Sequence, residues 1–361
     1  MSEKIILIMA GGTGGHIYPA LAVADYLREH GVKIYWLGTS AGLEARVVPE
    51  HGLPLLLIRI SGLRGKTLSR WILAPLMLMF ALIQSLMIML KYKPAAVIGL
   101  GGFVSGPGGV AAWLLRIPLY IHEQNAIAGL TNRLLSQLAK TIMLGFPGAI
   151  TGRRVITTGN PVRREIQSIH HPSARLVGRD QQSLRLLVLG GSLGAHALNE
   201  ALPRVMSTLP AQIRVDVWHQ TGAAHIESTR ALYASHAPDT ARVEAYINDM
   251  ASAYAWADLV LCRSGASTVS EICNAGIAAI LVPYPHAVDD HQTANARYLS
   301  DAGAALLVPQ TELTVTRVSD LLCRFYRERN TLLEMALIAR QQALPDAASQ
   351  IGRICMGSVH A

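Results

Sequence analysis

The sequence predicts an α/β fold with two Rossmann-like domains that face each other across a cleft, and three observations lead to this prediction. The 361 residues are too many for one ordinary hydrophobic core. Apolar, β-branched runs alternate with helical patterns along nearly the whole chain, and their continuous hydrophobicity favours parallel sheets covered on both faces. A similar strand–Gly-Gly–hydroxyl–His unit opens each half, as "IILIMAGGTGGH" and "LRLLVLGGSLGAH".

The first domain is predicted over residues 1–161. A helical pattern follows each of its first four strands, and the first helix is predicted over 20–30, with Pro19 at its start and Gly31 after its end. The buried strands are predicted at 5–9, 33–37, 55–60, 96–100 and 119–122.

The second domain is predicted over residues 162–344. The polar stretch "SIHHPSARLVGRDQQS" has the composition of a loop, and the domain boundary is placed near 160–164. Its strands are predicted at 184–189, 215–218, 242–245, 259–262, 279–282 and 305–308.

Charge and composition limit the classes of partner and compartment. The net charge of +8 favours anionic partners such as phosphates or acidic lipid headgroups, whereas scattered basic residues and 6% aromatic residues argue against nucleic acid. The four cysteines form no CxxC pair, which is typical of a reducing compartment. The N-terminal apolar run is too short for a signal peptide, so we expect a cytoplasmic protein.

Three glycine-rich stretches follow predicted strands and indicate an anionic ligand: "GGTGGH" (11–16), "GGFVSGPGG" (101–109) and "GGSLGAH" (190–196). Such loops let backbone amides and a helix N-terminus approach phosphate oxygens, although any one of them could serve only tight strand-to-helix packing. The GxGxxG register fails and no GxxxxGK[ST] sequence exists. A dehydrogenase and a P-loop enzyme are therefore disfavoured.

A more specific signal is "CRSGASTVSEICNAG" (262–276), in which Ser264 and Gly265 follow a strand and open a helix. A carboxylate at Glu271 can accept hydrogen bonds from two ribose hydroxyls while the helix amides face a diphosphate. Glu271 could instead serve only as a partner of the helix dipole. Further on, Gln292 and Asn295 are suited to sugar hydroxyls.

The chain resembles the MurG family of bacterial transferases over nearly its whole length. The motifs that carry this resemblance are "MAGGTGGHIYPALAVA", "ISGLRGK", "GGFVSGPGG", "HEQNAIAGLTNR", "GNPVR", "GGSLGA" and "CRSGASTVSE". The resemblance implies transfer of N-acetylglucosamine from UDP-N-acetylglucosamine to undecaprenyl-pyrophosphoryl-MurNAc-pentapeptide (lipid I), giving lipid II for peptidoglycan. It also implies a GT-B fold, in which the first domain binds the acceptor and the membrane and the second domain binds the donor. A C-terminal helix of about 345–361 would pack on the first domain.

The resemblance also implies which residues bind the substrates. Thr13, Gly14, Gly15 and His16 would line the donor sugar and the acceptor, and Asn125 would contact N-acetylglucosamine. The nucleotide, its diphosphate and the sugar would be held by Arg163, Ser192, Ile247, Ala266, Ser267, Thr268, Val269, Ser270, Glu271 and Gln292. Two positions depart from the family pattern: Leu193 replaces the usual Gln, and Phe103 replaces the usual Tyr.

An inverting transfer needs a base for the acceptor hydroxyl and charge stabilisation for the departing UDP. His16, at the junction of a glycine loop and a helix, and Glu123 are the candidates; His16 could instead only bind ligand, and Glu123 could orient its neighbours. No DxD motif occurs, and Asp289 and Asp290 are adjacent, so we expect no metal and no cofactor. Amides of the glycine loops, helix dipoles and Arg163 would then replace the cation.

The segment "RWILAPLMLMFALIQSLMIML" (70–90) is long enough to span a membrane, yet it lies between two predicted strands. Basic residues flank it, which favours a helix that lies in an anionic leaflet, through about 64–93, over a buried core helix. We therefore expect a peripheral protein on the cytoplasmic face of the inner membrane, with cell-wall or division proteins as further partners. The alternatives are another GT-B enzyme, such as a glycolipid glycosyltransferase or a UDP-GlcNAc epimerase, and a non-catalytic nucleotide-sugar-binding membrane protein.

Overall fold

The computed structural model describes residues 4–60, 68–176, 178–179, 182–191, 193–237 and 241–357, except for the side chains of 68–73. The chain divides into two compact units. Unit 1 consists of Met1–Val162 together with Asp346–Ala361, and unit 2 consists of Arg163–Pro345.

Unit 1 contains a seven-stranded sheet in the order β3-β2-β1-β4-β5-β6-β7, in which every pair of neighbours is parallel. Its strands are β1 (Ile5–Met9), β2 (Lys33–Gly38), β3 (Leu55–Leu57), β4 (Ala96–Gly99), β5 (Leu119–Glu123), β6 (Thr141–Leu144) and β7 (Val155–Thr157). Its first helices are α1 (Gly14–Glu29), α2 (Glu44–Glu50), α3 (Leu68–Tyr92), α4 (Ser105–Leu114) and α5 (Leu130–Leu135). The strand order reverses between β1 and β4, and ligands of such sheets bind in the crevice at that point.

The sheet of unit 1 is covered on both faces, as the continuous hydrophobicity of its strands predicts. Ile6 and Ile8 of β1 belong to one buried cluster, which includes residues of α1. Leu7 and Met9 belong to a second cluster, which includes residues of α3 and α4. Successive strand residues point to opposite faces, so β1 supplies both cores.

Unit 2 contains a six-stranded parallel sheet in the order β10-β9-β8-β11-β12-β13. Its strands are β8 (Leu184–Leu189), β9 (Val215–Gln220), β10 (Ala241–Glu244), β11 (Leu259–Cys262), β12 (Ala278–Leu281) and β13 (Ala305–Leu307). Its helices are α6 (Arg164–Gln167), α7 (Pro172–Leu176), α8 (His196–Thr208), α9 (Ile226–His236), α10 (Met250–Trp256), α11 (Ala266–Ala275), α12 (His291–Ser300), α13 (Val315–Arg327) and α14 (Arg329–Gln341), with 3-10 turns at Val288–Asp290 and Gln310–Glu312. The strand order reverses here between β8 and β11.

The last helix, α15 (Ala347–Met356), belongs to unit 1 and packs on α1. Ala347, Ile351 and Cys355 recur at four-residue spacing and are fully buried. Gly352 faces the ring of Tyr26 on α1, where a Cβ atom would overlap ring carbons. The end of the predicted C-terminal helix, 358–361, lies outside the described residues.

Helix α1 begins six residues earlier than predicted, so the expected start near Pro19 is wrong. Thr13 takes the N-cap position, and its carbonyl accepts hydrogen bonds from the amides of His16 and Ile17. Proline is tolerated close to a helix start because few backbone hydrogen bonds are lost there. Pro19 therefore lies inside the helix, and His16 lies in its first turn.

Candidate functional site

Two glycine loops touch at the carboxyl edge of the unit 1 sheet, where the strand order reverses. The first glycine loop (10–16) follows β1 and the second (100–104) follows β4. Gly102 has a φ of +85°, and a Cβ atom there would overlap the carbonyl oxygen of Gly11. Only glycine permits this backbone conformation together with this close approach.

The imidazole of His16 lies where these two loops meet. A Cβ atom on Gly101 would overlap its ring, so Gly101 provides the space that the ring occupies. Nδ1 lies 3.2 Å from the hydroxyl oxygen of Thr13. The exposed residues Thr13 and Gly15 and the half-buried Gly14 and His16 thus form one accessible surface, as the candidate substrate residues require.

Glu123, the second candidate base, is buried and makes four hydrogen bonds within its own loop. Oε1 accepts from the backbone amide of Asn125 at 3.0 Å and from its side chain at 3.3 Å. Oε2 accepts from the amide of Gly129 at 3.1 Å and from Nδ2 of Asn132 at 2.9 Å. The carboxylate therefore orders the 123–132 segment, which carries the candidate sugar-binding residue Asn125.

A second buried carboxylate, Glu44, lies under the first glycine loop and was missed by the sequence analysis. It accepts hydrogen bonds from the amide of Gly12 at 3.0 Å and from the amide and hydroxyl of Thr39 at 3.0 and 2.7 Å. The available signal was an acidic residue shortly after β2, in "GTSAGLE". Glu44 lies six residues beyond the end of β2, further along the chain than the position where an acidic residue was expected.

His122 and Gln124 on either side of Glu123 were also missed, although both tie the strand ends together. His122 Nε2 lies 2.9 Å from the carbonyl of Gly159, and Gln124 donates to the carbonyl of Leu100 at 2.7 Å. Burial lowers the pKa of His122 to about 4, although its bond to Gly159 and the charge of Glu123 oppose this. His122 is therefore a neutral structural residue at physiological pH.

In unit 2, Glu271 and Arg163 form an ion pair on the helix that the nucleotide motif predicts. Glu271 lies in the second turn of α11; its Oε1 is 3.5 Å from Nη2 of Arg163, and its Oε2 accepts from the hydroxyl of Tyr254 at 3.0 Å. Burial raises the pKa of Glu271, and the neighbouring Arg163 and Tyr254 oppose that rise. Tyr254 lies in no motif, so only the structure reveals it.

The N-terminus of α11 presents backbone amides with no side-chain cap. Gly265 is the N-cap residue and supplies no capping oxygen. Ala266, Ser267 and Thr268 form the first turn; Oγ of Ser267 is buried, and the described residues give it no hydrogen-bond partner. The side chains of Val269 and Ser270 are buried in the core of unit 2, so only their backbone groups could contact a ligand.

Gln292 and Asn295 on α12 hold the loop between β11 and α11. Asn295 donates to the carbonyl of Ser264 at 3.1 Å, and the hydroxyl of Ser264 donates to the carbonyl of Gln292 at 2.8 Å. The side-chain oxygen of Gln292 accepts from the amide of Tyr284 at 2.9 Å. Gln292 is half-buried.

The third glycine loop, 190–195, follows β8 and contains Ser192, which lies outside the described residues. Gln220 joins this loop to Ile247, whose backbone the family resemblance places against the uracil of the nucleotide. Nε2 of Gln220 donates to the carbonyl of Gly191 at 3.1 Å, and its Oε1 accepts from the amide of Ile247 at 3.0 Å. The amide of Ile247 is therefore already engaged. Leu193, at the position that departs from the family pattern, is 85% exposed.

The structure thus assembles two groups of candidate residues, one in each unit. Unit 1 brings together the first two glycine loops, His16 and the segment ordered by Glu123. Unit 2 brings Arg163 and Glu271 together beside α11, with Gly191 and Ile247 joined through Gln220. Among the described residues, no cluster of three or more His, Cys, Asp or Glu side chains could hold a metal ion.

Comparisons with known proteins identify the family. Residues 6–144 match the glycosyltransferase family 28 N-terminal domain, and residues 185–351 match the glycosyltransferase family 28 C-terminal domain. The chain is 52% identical over 352 residues to the UDP-N-acetylglucosamine--N-acetylmuramyl-(pentapeptide) pyrophosphoryl-undecaprenol N-acetylglucosamine transferase of Nitrosococcus oceani, covering 97% of this chain and 98% of that protein. It is 51% identical to the protein of the same name from Marinobacter nauticus, covering 98% of this chain and 97% of that protein.

Solved structures agree with this assignment. The crystal structure of Acinetobacter baumannii MurG matches with a TM-score of 0.85 and 42% identity, over 98% of this chain and 99% of that one. A kitacinnamycin glycotransferase matches with a TM-score of 0.72 and 16% identity over 98% of this chain and 99% of that one, a likeness of fold alone. The predicted GT-B fold class is confirmed. The chain belongs to the MurG family of N-acetylglucosamine transferases, within glycosyltransferase family 28.

Proposed function

We propose that this chain transfers N-acetylglucosamine from UDP-N-acetylglucosamine to N-acetylmuramyl-(pentapeptide) pyrophosphoryl-undecaprenol, giving lipid II for peptidoglycan synthesis. The observation that carries this proposal is the full-length identity of about half to transferases with that activity in their names. The two sites described above support it, since each lies at the carboxyl edge of its parallel sheet, where ligands of such folds bind.

In the proposed reaction, unit 2 holds the nucleotide. The carboxylate of Glu271 accepts hydrogen bonds from the ribose hydroxyls, and the amides at the start of α11 face the diphosphate. Arg163, 3.5 Å from Glu271, is exposed enough to reach the phosphates. As the bond between the sugar C1 and the phosphate oxygen breaks, these amides and the guanidinium stabilise the charge on the departing UDP.

His16 is the base in this proposal. It takes the proton from the MurNAc 4-hydroxyl as that oxygen attacks the sugar C1 with inversion. Two observations favour His16 over Glu123: its imidazole is half-exposed between two glycine loops, and the Glu123 carboxylate already accepts four hydrogen bonds. Glu123 then orders the loop of Asn125, which contacts the sugar.

The first experiment is transfer of radiolabelled N-acetylglucosamine from UDP-N-acetylglucosamine to a short-chain lipid I analogue, with EDTA present. We expect labelled disaccharide product, and product in EDTA would support catalysis without a metal. If UDP-N-acetylglucosamine binds by calorimetry but no product forms, the nucleotide-sugar site stands and the acceptor assignment fails. A radiolabelled free sugar or an epimerised donor would favour the other enzyme classes.

We further propose that α3 attaches the protein to the cytoplasmic face of the inner membrane. Residues Ala74–Tyr92 form a helix long and apolar enough to cross a membrane, and only 22% of its most apolar window is buried. Ala81, Ser85 and Met89 face the core, whereas the opposite face exposes Leu76, Met79, Phe80, Ile83, Met87 and Leu90. The strands before and after α3 lie in one sheet, so a helix that lies in the leaflet fits better than one that spans it.

The end of α3 carries the features of a membrane interface. Lys91 lies 5.3 Å from the centre of the Tyr92 ring, which packs on Tyr35. Lysine and tyrosine favour the headgroup layer, and basic groups favour anionic lipid. Of the basic residues expected before the apolar segment, Arg59 is exposed, whereas Arg64, Lys66 and Arg70 lie outside the residues whose side chains are described.

Vesicle sedimentation tests the membrane proposal. We expect binding to vesicles containing phosphatidylglycerol, weaker binding to pure phosphatidylcholine, and release of the Met79→Glu/Met87→Glu variant from both. Leu193→Glu, which changes an even more exposed apolar residue in unit 2, is the control and should sediment as the wild type does. Equal sedimentation of both variants would remove α3 as the membrane contact. Binding to cell-wall or division proteins stays a prediction.

A further inference from the structure

The Glu44 carboxylate occupies a space that three glycines leave open. Glu44 is buried at the start of α2. A Cβ atom on Gly42 would overlap its carboxylate, one on Gly11 would lie 2.9 Å from Oε1, and one on Gly38 would lie 2.8 Å from Cγ. Because these three residues have no Cβ atom, the Glu44 side chain can lie directly beside the first glycine loop.

The two carboxylate oxygens connect two different segments. Oε1 accepts from the amide and hydroxyl of Thr39, which follows β2. Oε2 accepts from the amide of Gly12, which has a φ of +91°. Gly12 itself is exposed and the bond is partly buried, but a hydrogen bond to a charged acceptor is stronger than one between neutral groups, so this bond fixes the orientation of the peptide at Gly12.

The orientation of Gly12 determines where His16 lies. The next residue, Thr13, is the N-cap of α1; its carbonyl accepts from the His16 amide at 3.1 Å, and its hydroxyl contacts the His16 imidazole at 3.2 Å. On the other side, the ring of His16 packs against Gly101. A rotation at Gly12 would therefore displace both Thr13 and the imidazole.

We propose that Glu44 is a positioning residue for the transfer reaction. By accepting the hydrogen bond from Gly12, Glu44 fixes the first glycine loop, and the loop in turn fixes the position of His16. This inference rests on the proposed function and on the role of His16 in it. Glu44 makes no contact with substrate in this scheme. Its effect arises because a displacement of a reacting group by about 1 Å can lower the rate by about a hundredfold.

Glu44→Gln tests the inference, and Thr39→Val is its matched control. In the glutamine variant one carboxylate oxygen becomes an amide donor and the charge is lost, so the bond to Gly12 is either broken or weakened to a bond with a neutral acceptor. Thr39→Val removes a hydrogen bond of the same carboxylate but keeps the bond to Gly12. We expect kcat of E44Q to fall about tenfold to a hundredfold, with KM for UDP-N-acetylglucosamine changed less than about threefold, and kcat of T39V within about threefold of the wild type.

Hydrogen exchange provides a readout that does not depend on activity. The amides of residues 12–17 should exchange faster in E44Q than in the wild type, and at the wild-type rate in T39V. If E44Q does not fold, Glu44→Asp, which keeps the charge but is one methylene shorter, is measured in its place with the same expectations.

The outcomes separate the inference from the proposed function. A wild-type protein without transfer activity contradicts the proposed function, before any variant is considered. With an active wild type, the positioning role is overturned if E44Q keeps its kcat within about threefold, if T39V loses as much, or if exchange of residues 12–17 does not change.

Discussion

At the scale of single residues, the sequence motifs located the candidate site but not the groups that hold it. His16, Asn125, Arg163 and Glu271 lie in motifs whose chemistry can be read from residue type and spacing. The supporting groups Glu44, Tyr254 and Gln220 act through contacts between distant segments. No spacing within one motif encodes such contacts, so only the folded chain identifies them.

The proposed base gives a first prediction at this scale. His16→Ala should lower kcat by about 10²–10⁴-fold, because a general base contributes about that much, while calorimetric binding of UDP should stay the same. Glu123→Gln should lower the melting temperature as well as the rate, because a carboxamide cannot accept all four hydrogen bonds. Turnover of H16A within tenfold of the wild type would exclude His16 as the base.

The Glu271 carboxylate gives a second prediction. Glu271→Gln should raise KM for UDP-N-acetylglucosamine about tenfold to a hundredfold, since hydrogen bonds to a charged group are worth about 1.5–3 kcal/mol. Tyr254→Phe removes only the hydroxyl that donates to Oε2 and is the matched control, with a smaller expected change. Steady-state kinetics at saturating acceptor measure both, and an equal KM for E271Q and the wild type would contradict nucleotide binding by Glu271.

At the scale of elements, hydrophobic runs predicted the central strands well and the edge of the unit 1 sheet poorly. β1 and β8 were predicted with their observed bounds because most of their residues are apolar and buried on both faces, with Arg185 as the one charged residue of β8. β6 and β7, with four and three residues, were missed, and two of the three β7 residues are exposed. β7 is a short edge strand and has too few buried positions to stand out from a loop. β6 lies between β5 and β7 with three of its four residues buried, so its apolar run was a signal that the sequence analysis overlooked.

The packing of α15 on α1 gives a prediction for two glycines, Gly352 inside the helix and Gly357 at its C-cap. Gly352→Ala should destabilise unit 1 by about 1–2 kcal/mol, because the overlap with Tyr26 outweighs the gain of about 1 kcal/mol in helix propensity. Gly357→Ala should be neutral or stabilising, since its Cβ atom would come no closer than 3.4 Å to its neighbours and its φ is −57°. Urea unfolding followed by circular dichroism compares them, and equal midpoints would contradict tight packing at Gly352.

At the scale of the whole molecule, two buried histidines make stability depend on pH. Burial lowers the pKa of His122 in unit 1 to about 4 and that of His219 in unit 2 to about 3. His219 lies between Tyr233 and Asn199, 3.0 Å from a polar atom of each. Between the unfolded pKa near 6.5 and these lowered values, the unfolded chain binds the extra protons, so stability is complete above about pH 6.5 and declines below it.

Each histidine should therefore lower the free energy of unfolding of its unit by about 1.4 kcal/mol per pH unit between pH 6 and about pH 4.5. His122→Gln should remove this contribution, about 1.4 kcal/mol per pH unit, from the pH dependence of unit 1, and His219→Gln should remove the same contribution from unit 2. Urea titrations at several pH values measure the slopes. A slope that both variants leave unchanged would show that the buried imidazoles are protonated in the folded protein.

Assignment of the nucleotide site to unit 2 gives a further prediction for the whole molecule. UDP at a hundred times its Kd should raise the free energy of unfolding of unit 2 by about 2.7 kcal/mol. Hydrogen exchange should slow at the start of α11 and after β8, and should remain the same along β1 and β4. Protection confined to unit 1 would reverse the assignment.

The return of α15 to unit 1 has a consequence for the order of folding during translation. The ribosome completes the whole of unit 2 before it synthesises the helix that covers α1. Until α15 emerges from the exit tunnel, nascent unit 1 exposes the apolar surface that Ile351 and Cys355 later bury. Unit 2 is contiguous in sequence, so its folding does not depend on α15. Unit 1 cannot complete its fold until α15 has been synthesised, and during that interval its exposed apolar surface is a binding site for a chaperone.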